Sequence, residues 1–348
     1  MKILVVRLSS LGDVLHLFPA ISDLRLCFPN AEIHWLIEPA FFEMAGWHSA
    51  VDRVIAIPLR RYKKTWWKIP GLLRQIGRQL KAEHYDVVID AQGLIKSALL
   101  ARLSGADVCG FSENSAREAL ASRFYKRTAD VAPGLHVVEK NRQLIAQLFG
   151  ANISGDADFG LSGFRQKQMA QAPSFDAGKN DILLLHGTTW SSKYWPEDYW
   201  LKLTGMLAKE GYRCLLPWGN EEERQRAGRI AHQGGEVLPR LSLGELAGVL
   251  LHSRGFVSVE TGIGHLASVL DVPGLMLHGP TDPDYSGILG RSCKHIASGL
   301  ECSPCFKRDC PIPDQETGLP PCQKSITPER VLGECLKLFS KIHGQGAC

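Results

Sequence analysis

The sequence has no run of about 18 apolar residues, the length a helix needs to cross a bilayer. Its opening, Met1-Lys2-Ile3-Leu4-Val5-Val6-Arg7, meets Arg7 too early for the apolar core of an export signal. The chain is therefore expected to stay in the cytoplasm. An excess of one charge is missing too: 40 Lys and Arg against 36 Asp and Glu leave +4. That is too mild for a dedicated nucleic-acid binder, so no nucleic-acid partner is expected and any basic feature must be local. There is no short-period repeat and no low-complexity tract. The turn after the first apolar run has no G-x-G-x-x-G, which argues against a dinucleotide cofactor there. What the chain has is ordinary globular material: 348 residues, 45% apolar and 22% charged. At about 150 residues per domain this is enough for two cores.

Strand, turn and helix patterns alternate along the chain. Ile3 to Val6, Ile33 to Ile37, Val54 to Ile57 and Val87 to Ile89 are apolar runs of the kind buried in a parallel sheet. Val14 to Leu26, Leu72 to Lys81 and His136 to Phe149 carry helical spacing. A stretch poor in periodicity follows at Gly155 to Asn180. A second series then begins with strands at Ile182–Leu185, Arg213–Leu216, Phe256–Val259 and Leu275–Leu277. Helices are expected at Glu197–Glu210, Leu243–His252 and His265–Leu270. A final helix runs from about Pro328 to Phe339. Alternation of this kind predicts two Rossmann-like α/β domains with parallel sheets. The expected boundaries are 1–160, a linker at 161–180, a second domain at 181–325 and a C-terminal helix at 326–348.

Three strand-to-helix turns carry candidate chemistry. In Ser9-Ser10-Leu11-Gly12-Asp13, Gly12 permits close approach of a ligand and the helix start offers free N–H groups. Residue type leaves two roles open for Asp13, a favourable first-turn acid or a functional carboxylate. In His186 to Pro196, hydroxyls, Gly187 and Lys193 precede a helix and suit a phosphate, although the Walker spacing is absent. A solvated loop with a surface lysine is the other reading. In Ser258 to His265, Glu260, Thr261, Gly262 and Gly264 open a further helix, where two glycines weaken the helix start unless something must come close.

Two composition features stand apart. From Arg53 to Lys81 there are nine Lys or Arg, no Asp or Glu, and the pair Trp66-Trp67. A solvated face, an anionic substrate or an anionic membrane surface would each use such a stretch. The second is Cys302-x2-Cys305-x4-Cys310-x11-Cys322, a cluster within ten cysteines that in a cytosolic chain do not form a disulfide framework. Four soft ligands on one proline-broken loop suit a structural zinc or iron. Pro304, Pro311, Pro313 and Pro320-Pro321 argue against a helix or buried strand here.

Taken in order, these motifs resemble the bacterial lipopolysaccharide heptosyltransferases of glycosyltransferase family 9. The resemblance is carried by Ser9 to His16 with Pro19-Ala20, by Arg60-Arg61-Tyr62-Lys63-Lys64 and by Tyr85 to Leu94. It continues through Ala116-Arg117-Glu118, Thr188 to Pro196, Pro217-Trp218-Gly219, Glu260-Thr261-Gly262 and Gly279 to Pro283. It is strongest toward the members that add the first heptose, chiefly through Asp90-Ala91-Gln92-Gly93 and the Arg117 segment. It implies a GT-B fold, two Rossmann-like domains facing a central cleft. The N-terminal half would take a Kdo-lipid A acceptor and the C-terminal half ADP-heptose. The reaction implied moves L-glycero-D-manno-heptose onto Kdo of the inner core, inverting the anomeric centre. Peripheral contact with the cytoplasmic face of the inner membrane goes with that acceptor.

The resemblance also implies roles. Asp13 becomes the base and Lys193 the cation that offsets charge on the leaving ADP, so that catalysis requires no metal. Thr188, Thr189, Lys193, Thr261, Gly262 and His265 would meet the donor diphosphate and sugar, with Glu260 on the heptose hydroxyls. Trp218, Gly219, Glu221 and Leu241 would lie near the adenosine. Ser10, Gly12, Arg60, Arg61, Lys64, Gln92 and Arg117 would meet the acceptor, arginine because its fork pairs bidentately with carboxylate and phosphate. Two features depart from the expected pattern. Glu260 stands where Asp is usual in the family, and the four-cysteine cluster is not a feature of the members that add the first heptose, although similar Cys-rich tails occur in other members of the family, including those that resemble heptosyltransferase II. A sibling that adds heptose to heptose, a nucleotide-sugar epimerase and a non-catalytic nucleotide-sugar binder are the competing functions.

Overall fold

In the computed structural model, the described residues are 1–62, 65–151, 153 and 155–343. The chain divides into two compact units, Met1–Phe164 and Arg165–Cys348. Each is built on a six-stranded sheet in which every recorded pairing is parallel.

In the first unit the strands are β1 (Lys2–Val6), β2 (Glu32–Ile37), β3 (Arg53–Ala56), β4 (Val87–Asp90), β5 (Val108–Phe111) and β6 (Arg127–Ala129). Their spatial order is β3-β2-β1-β4-β5-β6. Ile3, Leu4, Val5 and Val6 are all buried, as a central parallel strand with helices on both faces requires. The order reverses between β1 and β4, where Val5 pairs with Ile89 and Val6 with Asp90. In an open α/β sheet that switch point is where a crevice for ligand opens beyond the strand ends.

The second unit repeats the plan with β7 (Asp181–Leu185), β8 (Arg213–Leu216), β9 (Gly235–Val237), β10 (Gly255–Val259), β11 (Gly274–His278) and β12 (Cys293–Ala297). The order β12-β11-β10-β7-β8-β9 places its switch point between β7 and β10. Its core gathers β7, β8, β10 and β11 residues with Trp195, Trp200 and Phe339. Close packing makes Gly255 necessary, since a Cβ there would stand 2.4 Å from both the Phe339 ring and the Pro273 carbonyl. Phe339 belongs to the last helix, Pro328–His343, which therefore packs on the second unit. The Trp195 indole ties down the approach to that helix by donating to the Ile326 carbonyl at 2.8 Å.

Several local expectations change. The single helix expected from Val14 to Leu26 is two, Leu11–Leu15 and Phe18–Cys27. Pro19 is the reason: it lacks an N–H and is tolerated in a first helical turn, not in an interior. The stretch expected to be a linker holds a helix, Ser162–Met169. The prolines of the cysteine segment do not prevent a short helix at Pro321–Lys324, where Pro321 occupies a first-turn position. Strands β5, β6, β9 and β12 carry no apolar run long enough to announce them; three of these four are sheet edges.

Candidate functional site

The functional side chains collect at the carboxyl ends of the strands, in each unit around its switch point. In the first unit the loop after β1 leads into helix Leu11–Leu15 and sets Asp13 in its first turn. Asp13 Oδ2 accepts from the Ser10 N–H and from Ser10 Oγ, both at 3.0 Å. Its Oδ1 takes the Arg7 guanidinium at 2.9 Å, and Arg117 reaches Oδ2 from 3.8 Å. Burial by itself would raise the Asp13 pKa. Arg7, the Ser10 amide, Arg117 and His16 outweigh it and pull the value down to about 2. The result is a carboxylate that is ionised throughout the physiological range and still partly open, its side chain 26% exposed.

Arg7 is the residue that sequence reasoning missed here. It sits just past β1, also donates to the Ala91 carbonyl, and so joins the β1 and β4 loops across the switch point. Gln92 makes a second tie, accepting from the Leu8 N–H at 2.8 Å. Beneath it, buried Asp90 accepts from Ser97 Oγ and Tyr125 Oη, each at 2.7 Å, and from the Gln92 N–H at 2.9 Å. The loop then turns at Gly93, whose φ of 66° favours glycine and where a Cβ would stand a tight 3.2 Å from the Arg117 backbone nitrogen. Asp90 is thus a framework group that shapes the turn presenting Gln92 and Arg117.

Of the other acceptor-side candidates, Ser10 is exposed and Gly12 half-buried beside Asp13. Arg60 and Arg61 are exposed on a 3-10 turn, Leu59–Tyr62, past the end of β3. That is the same end of the sheet as Asp13. The Arg60 N–H donates to Glu38 Oε1 at 3.2 Å and its guanidinium lies over Phe41, which leaves the head at the surface. Trp67 follows, 60% exposed. Lys64 lies outside the described residues.

In the second unit Lys193 ends a 3-10 turn, Ser191–Lys193, after β7. Its Nζ lies 2.9 Å from Glu260 Oε2 and over the Trp190 ring at 4.2 Å. Glu260 follows β10. Burial pushes its pKa up, but Lys193, Thr281 and His265 outweigh burial and hold it below the ordinary carboxylate value. Glu260 is therefore ionised and positioned against Lys193. The Thr188 hydroxyl donates to the Glu260 carbonyl at 3.5 Å, linking the β7 and β10 loops. Thr261 and Gly262, both half-buried, start helix Gly262–Val269, and buried His265 follows one turn on. Thr189 is exposed and Leu241 half-buried.

Trp218 donates to the Leu238 carbonyl at 2.7 Å, and Arg224 covers its ring. Of the acids in the next helix, Glu221 points outward and pairs with Arg224 at 3.5 Å. Glu223, not singled out from sequence, turns inward: its Oε2 accepts from the Gly219 N–H at 2.7 Å. A Cβ on Gly187 would stand 3.0 Å from the same carboxyl group. Glu223 thus lies between the β7 and β8 turns.

The cysteine segment has an unexpected place. Leu300 to Leu319 contains no helix or strand, yet it braces the lysine turn. Ser192 N–H donates to the Arg308 carbonyl at 3.1 Å, Ser192 Oγ to the Lys307 carbonyl at 2.7 Å, and Ser191 Oγ to Asp309 at 2.6 Å. Cys322 is buried, Cys305 and Cys310 half-buried and Cys302 exposed. The Cys322 thiol is pushed up to about 11 by burial and then by Cys302, Cys310 and Cys305. Among the described residues no three Cys, His, Asp or Glu stand together as a ligand set for a metal ion.

Similarity to known proteins agrees with this geometry. The family model for Glycosyltransferase family 9 (heptosyltransferase) matches residues 73–315. Lipopolysaccharide heptosyltransferase 1 of Pseudomonas aeruginosa is 44% identical over 95% of this chain and 96% of its own. The structure of the E. coli heptosyltransferase WaaC with ADP superposes with a TM-score of 0.83 at 35% identity, covering 97% of this chain and 100% of that one. The same enzyme with ADP-2-deoxy-2-fluoro heptose gives a TM-score of 0.81 at 35% identity, over 97% of this chain and 99% of that one.

Proposed function

The chain belongs to glycosyltransferase family 9, the heptosyltransferases, and on that premise we propose the following division of labour between its residues. The protein is a GT-B glycosyltransferase that transfers heptose from a nucleotide-sugar donor to the lipopolysaccharide inner core. In our reading the donor is ADP-heptose, the acceptor is Kdo-lipid A, and the transfer inverts the anomeric centre.

Inversion takes one in-line displacement. The acceptor hydroxyl loses its proton to a base as its oxygen attacks the anomeric carbon, and ADP leaves from the opposite face. Asp13 is the base, and Arg7 and the Ser10 amide keep it charged and aimed. A carboxylate with so low a pKa takes the proton late, when the new glycosidic bond already makes that proton acidic. Lys193 meets the negative charge that grows on the diphosphate. Glu260 holds Lys193 in place before donor arrives. Glu223 and Trp218 are assigned to the nucleoside, Thr188, Thr261 and Gly262 to the diphosphate. Gln92, Arg117, Arg60 and Arg61 take the anionic acceptor.

The observation that carries this reading is the pair of preset charges, one at each unit's switch point: an ionised acid bound to Arg7 and a lysine bound to Glu260. The test is product formation from ADP-heptose with defined acceptors, read by mass spectrometry.

Two further parts are proposals on narrower grounds. No helix among the described residues is long and apolar enough to cross a membrane. The exposed Arg60-Arg61 turn and Trp67 suit peripheral contact with an anionic bilayer at the cytoplasmic face. Salt-sensitive sedimentation with anionic vesicles, lost in Trp67→Ala, tests that contact. The cysteine segment is proposed to hold a structural zinc or iron, on the ground of Cys302, Cys305 and Cys310 on one loop with Cys322 on the short helix that follows it. No step of the transfer runs through it.

A further inference from the structure

The turn that ends in Lys193 is held by one short stretch of the cysteine segment, Lys307-Arg308-Asp309, which lies between Cys305 and Cys310. The Arg308 carbonyl accepts from the Ser192 N–H at 3.1 Å and from Ser191 Oγ at 3.0 Å. The Lys307 carbonyl accepts from Ser192 Oγ at 2.7 Å. Gln323, on the short helix Pro321–Lys324, donates to the Ser192 carbonyl at 3.3 Å. The same segment is tied to the turn after β11, where the Pro280 carbonyl accepts from the Cys305 N–H at 3.1 Å and the Phe306 N–H at 2.8 Å. Ser192 is buried, so little water competes for its bonds. The backbone of Arg308 therefore has a fixed place beside the lysine turn.

The side chain of Arg308 uses that place. Its guanidinium donates to the Thr189 carbonyl at 3.4 Å, just ahead of Lys193 in the same turn. A guanidinium carries five N–H groups, and Arg308 is exposed, so it keeps donors open to solvent here. Among the described residues it forms no ion pair. The carboxylate of neighbouring Asp309 goes instead to Ser191 Oγ at 2.6 Å. Lys193 differs in this respect. Its charge is matched by Glu260 at 2.9 Å, with both side chains nearly buried. That pair is close to neutral as a whole, whereas a diphosphate carries a negative charge on each phosphate. The positive charge left unmatched beside this turn is that of Arg308.

We propose that Arg308 is a donor-binding residue, a second cation that pairs with the diphosphate of the nucleotide sugar alongside Lys193. This rests on the assignment of the 188–193 turn to that diphosphate. The planar fork of a guanidinium matches phosphate oxygens bidentately, which an ammonium does not. During transfer the bond between the anomeric carbon and the phosphate oxygen breaks, and its electron pair stays on that oxygen. The acceptor oxygen takes the carbon and passes its proton to Asp13. The diphosphate thus gains a negative charge while Glu260 still holds part of the charge of Lys193, and Arg308 meets the remainder. The cysteine segment then serves the donor site in two ways: its backbone braces the lysine turn, and its arginine delivers a charge.

The test is isothermal titration of the full chain with ADP, for wild type, Arg308→Gln, Arg308→Lys and Lys193→Ala. Adenosine, read by saturation-transfer NMR, is the probe without phosphate. The bonds that brace the turn use the Arg308 carbonyl, so Arg308→Gln leaves them in place. The Kd for ADP is expected to rise about tenfold in Arg308→Gln, the worth of one charge-assisted hydrogen bond. The rise is expected to shrink at high salt, because the group is exposed. Arg308→Lys keeps the charge and recovers part of the loss, and adenosine binds all of these Arg308 variants as it binds wild type. An ADP affinity in Arg308→Gln equal to wild type at low salt overturns the proposal. So does an equal loss for adenosine, which would mean a change in the shape of the turn, or a loss that Arg308→Lys does not reduce. If Lys193→Ala binds ADP as wild type does, the assignment of the turn to the diphosphate fails instead. A loss in Lys193→Ala with none in Arg308→Gln removes this proposal alone.

Discussion

The Arg7 guanidinium holds Asp13 at 2.9 Å while its other nitrogen donates to the Ala91 carbonyl, so one side chain both charges the acid and locks two loops together. Asp13 titrates below its ordinary value in the folded protein. Its contribution to stability is therefore complete above the unfolded value of ~3.9 and is lost as pH falls through about 2. It follows that Asp13 sets no acid limb of activity near neutrality. In Arg7→Gln the carboxyl loses its largest electrostatic support, and the acid limb of kcat/KM is expected to move to higher pH with lower kcat. A pH-rate profile identical to wild type would show that Arg7 does not set this charge.

Asp13→Asn keeps the shape and removes the base. We expect kcat to fall by about 100-fold or more with donor affinity little changed. Near-normal turnover would end the assignment.

Lys193→Ala removes one partner of a pair in which both side chains are nearly buried, 12% and 11% exposed. Turnover and ADP affinity are expected to fall together, because the same charge serves the bound donor and the transition state. Thermal stability is expected to fall as well, since Glu260 is left as a buried charge without its partner. Isothermal titration with ADP and a melting curve read the two effects; unchanged ADP binding would put the lysine elsewhere.

Arg61→Ala is expected to raise acceptor KM, strongly at low salt and weakly at high salt, and to leave ADP binding alone. Acceptor kinetics unaltered at both salt concentrations would mean that the basic turn is only a solvated face.

The loop carrying Cys302, Cys305 and Cys310 is bonded directly to Ser191 and Ser192. Freshly purified protein is expected to contain about one equivalent of zinc plus iron, as a four-thiolate site would. Chelation would then lower the melting temperature and weaken ADP binding together, because the loop carries the Lys193 turn. Well under one equivalent, with all four thiols freely alkylated in the native state, would remove the metal.

Much of this architecture is legible in the sequence because central parallel strands are uniformly apolar. Ile3 to Val6 and Ile182 to Leu185 announce the strands on which both switch points are built. The turns after them carry Asp13 and Lys193, and their positions follow from the strands. Edge strands such as Arg127–Ala129 and Gly235–Val237 are too short and too polar to carry that signal. Pairings across the chain are illegible for a different reason. Arg7 has no periodic signature, and its value lies in contacts with Asp13 and Ala91 that only folding creates. Glu221 and Glu223 differ only in helix phase. The Asn220 cap sets that phase, accepting from the Glu223 N–H at 2.9 Å, and turns Glu223 rather than Glu221 toward Gly219. The bracing of Lys193 by the cysteine segment spans more than a hundred residues, as in Ser192 to Lys307, and no local pattern predicts it.

The central claim is tested most directly by incubating the purified full chain with ADP-heptose and two acceptors in parallel, Kdo-lipid A and the same molecule already carrying its first heptose. Mass spectrometry reads the products. The account expects one heptose added to Kdo-lipid A, release of ADP in equal amount, and no addition to the heptosylated acceptor. Addition to the heptosylated acceptor alone, or conversion of the donor with no acceptor modified, would contradict it.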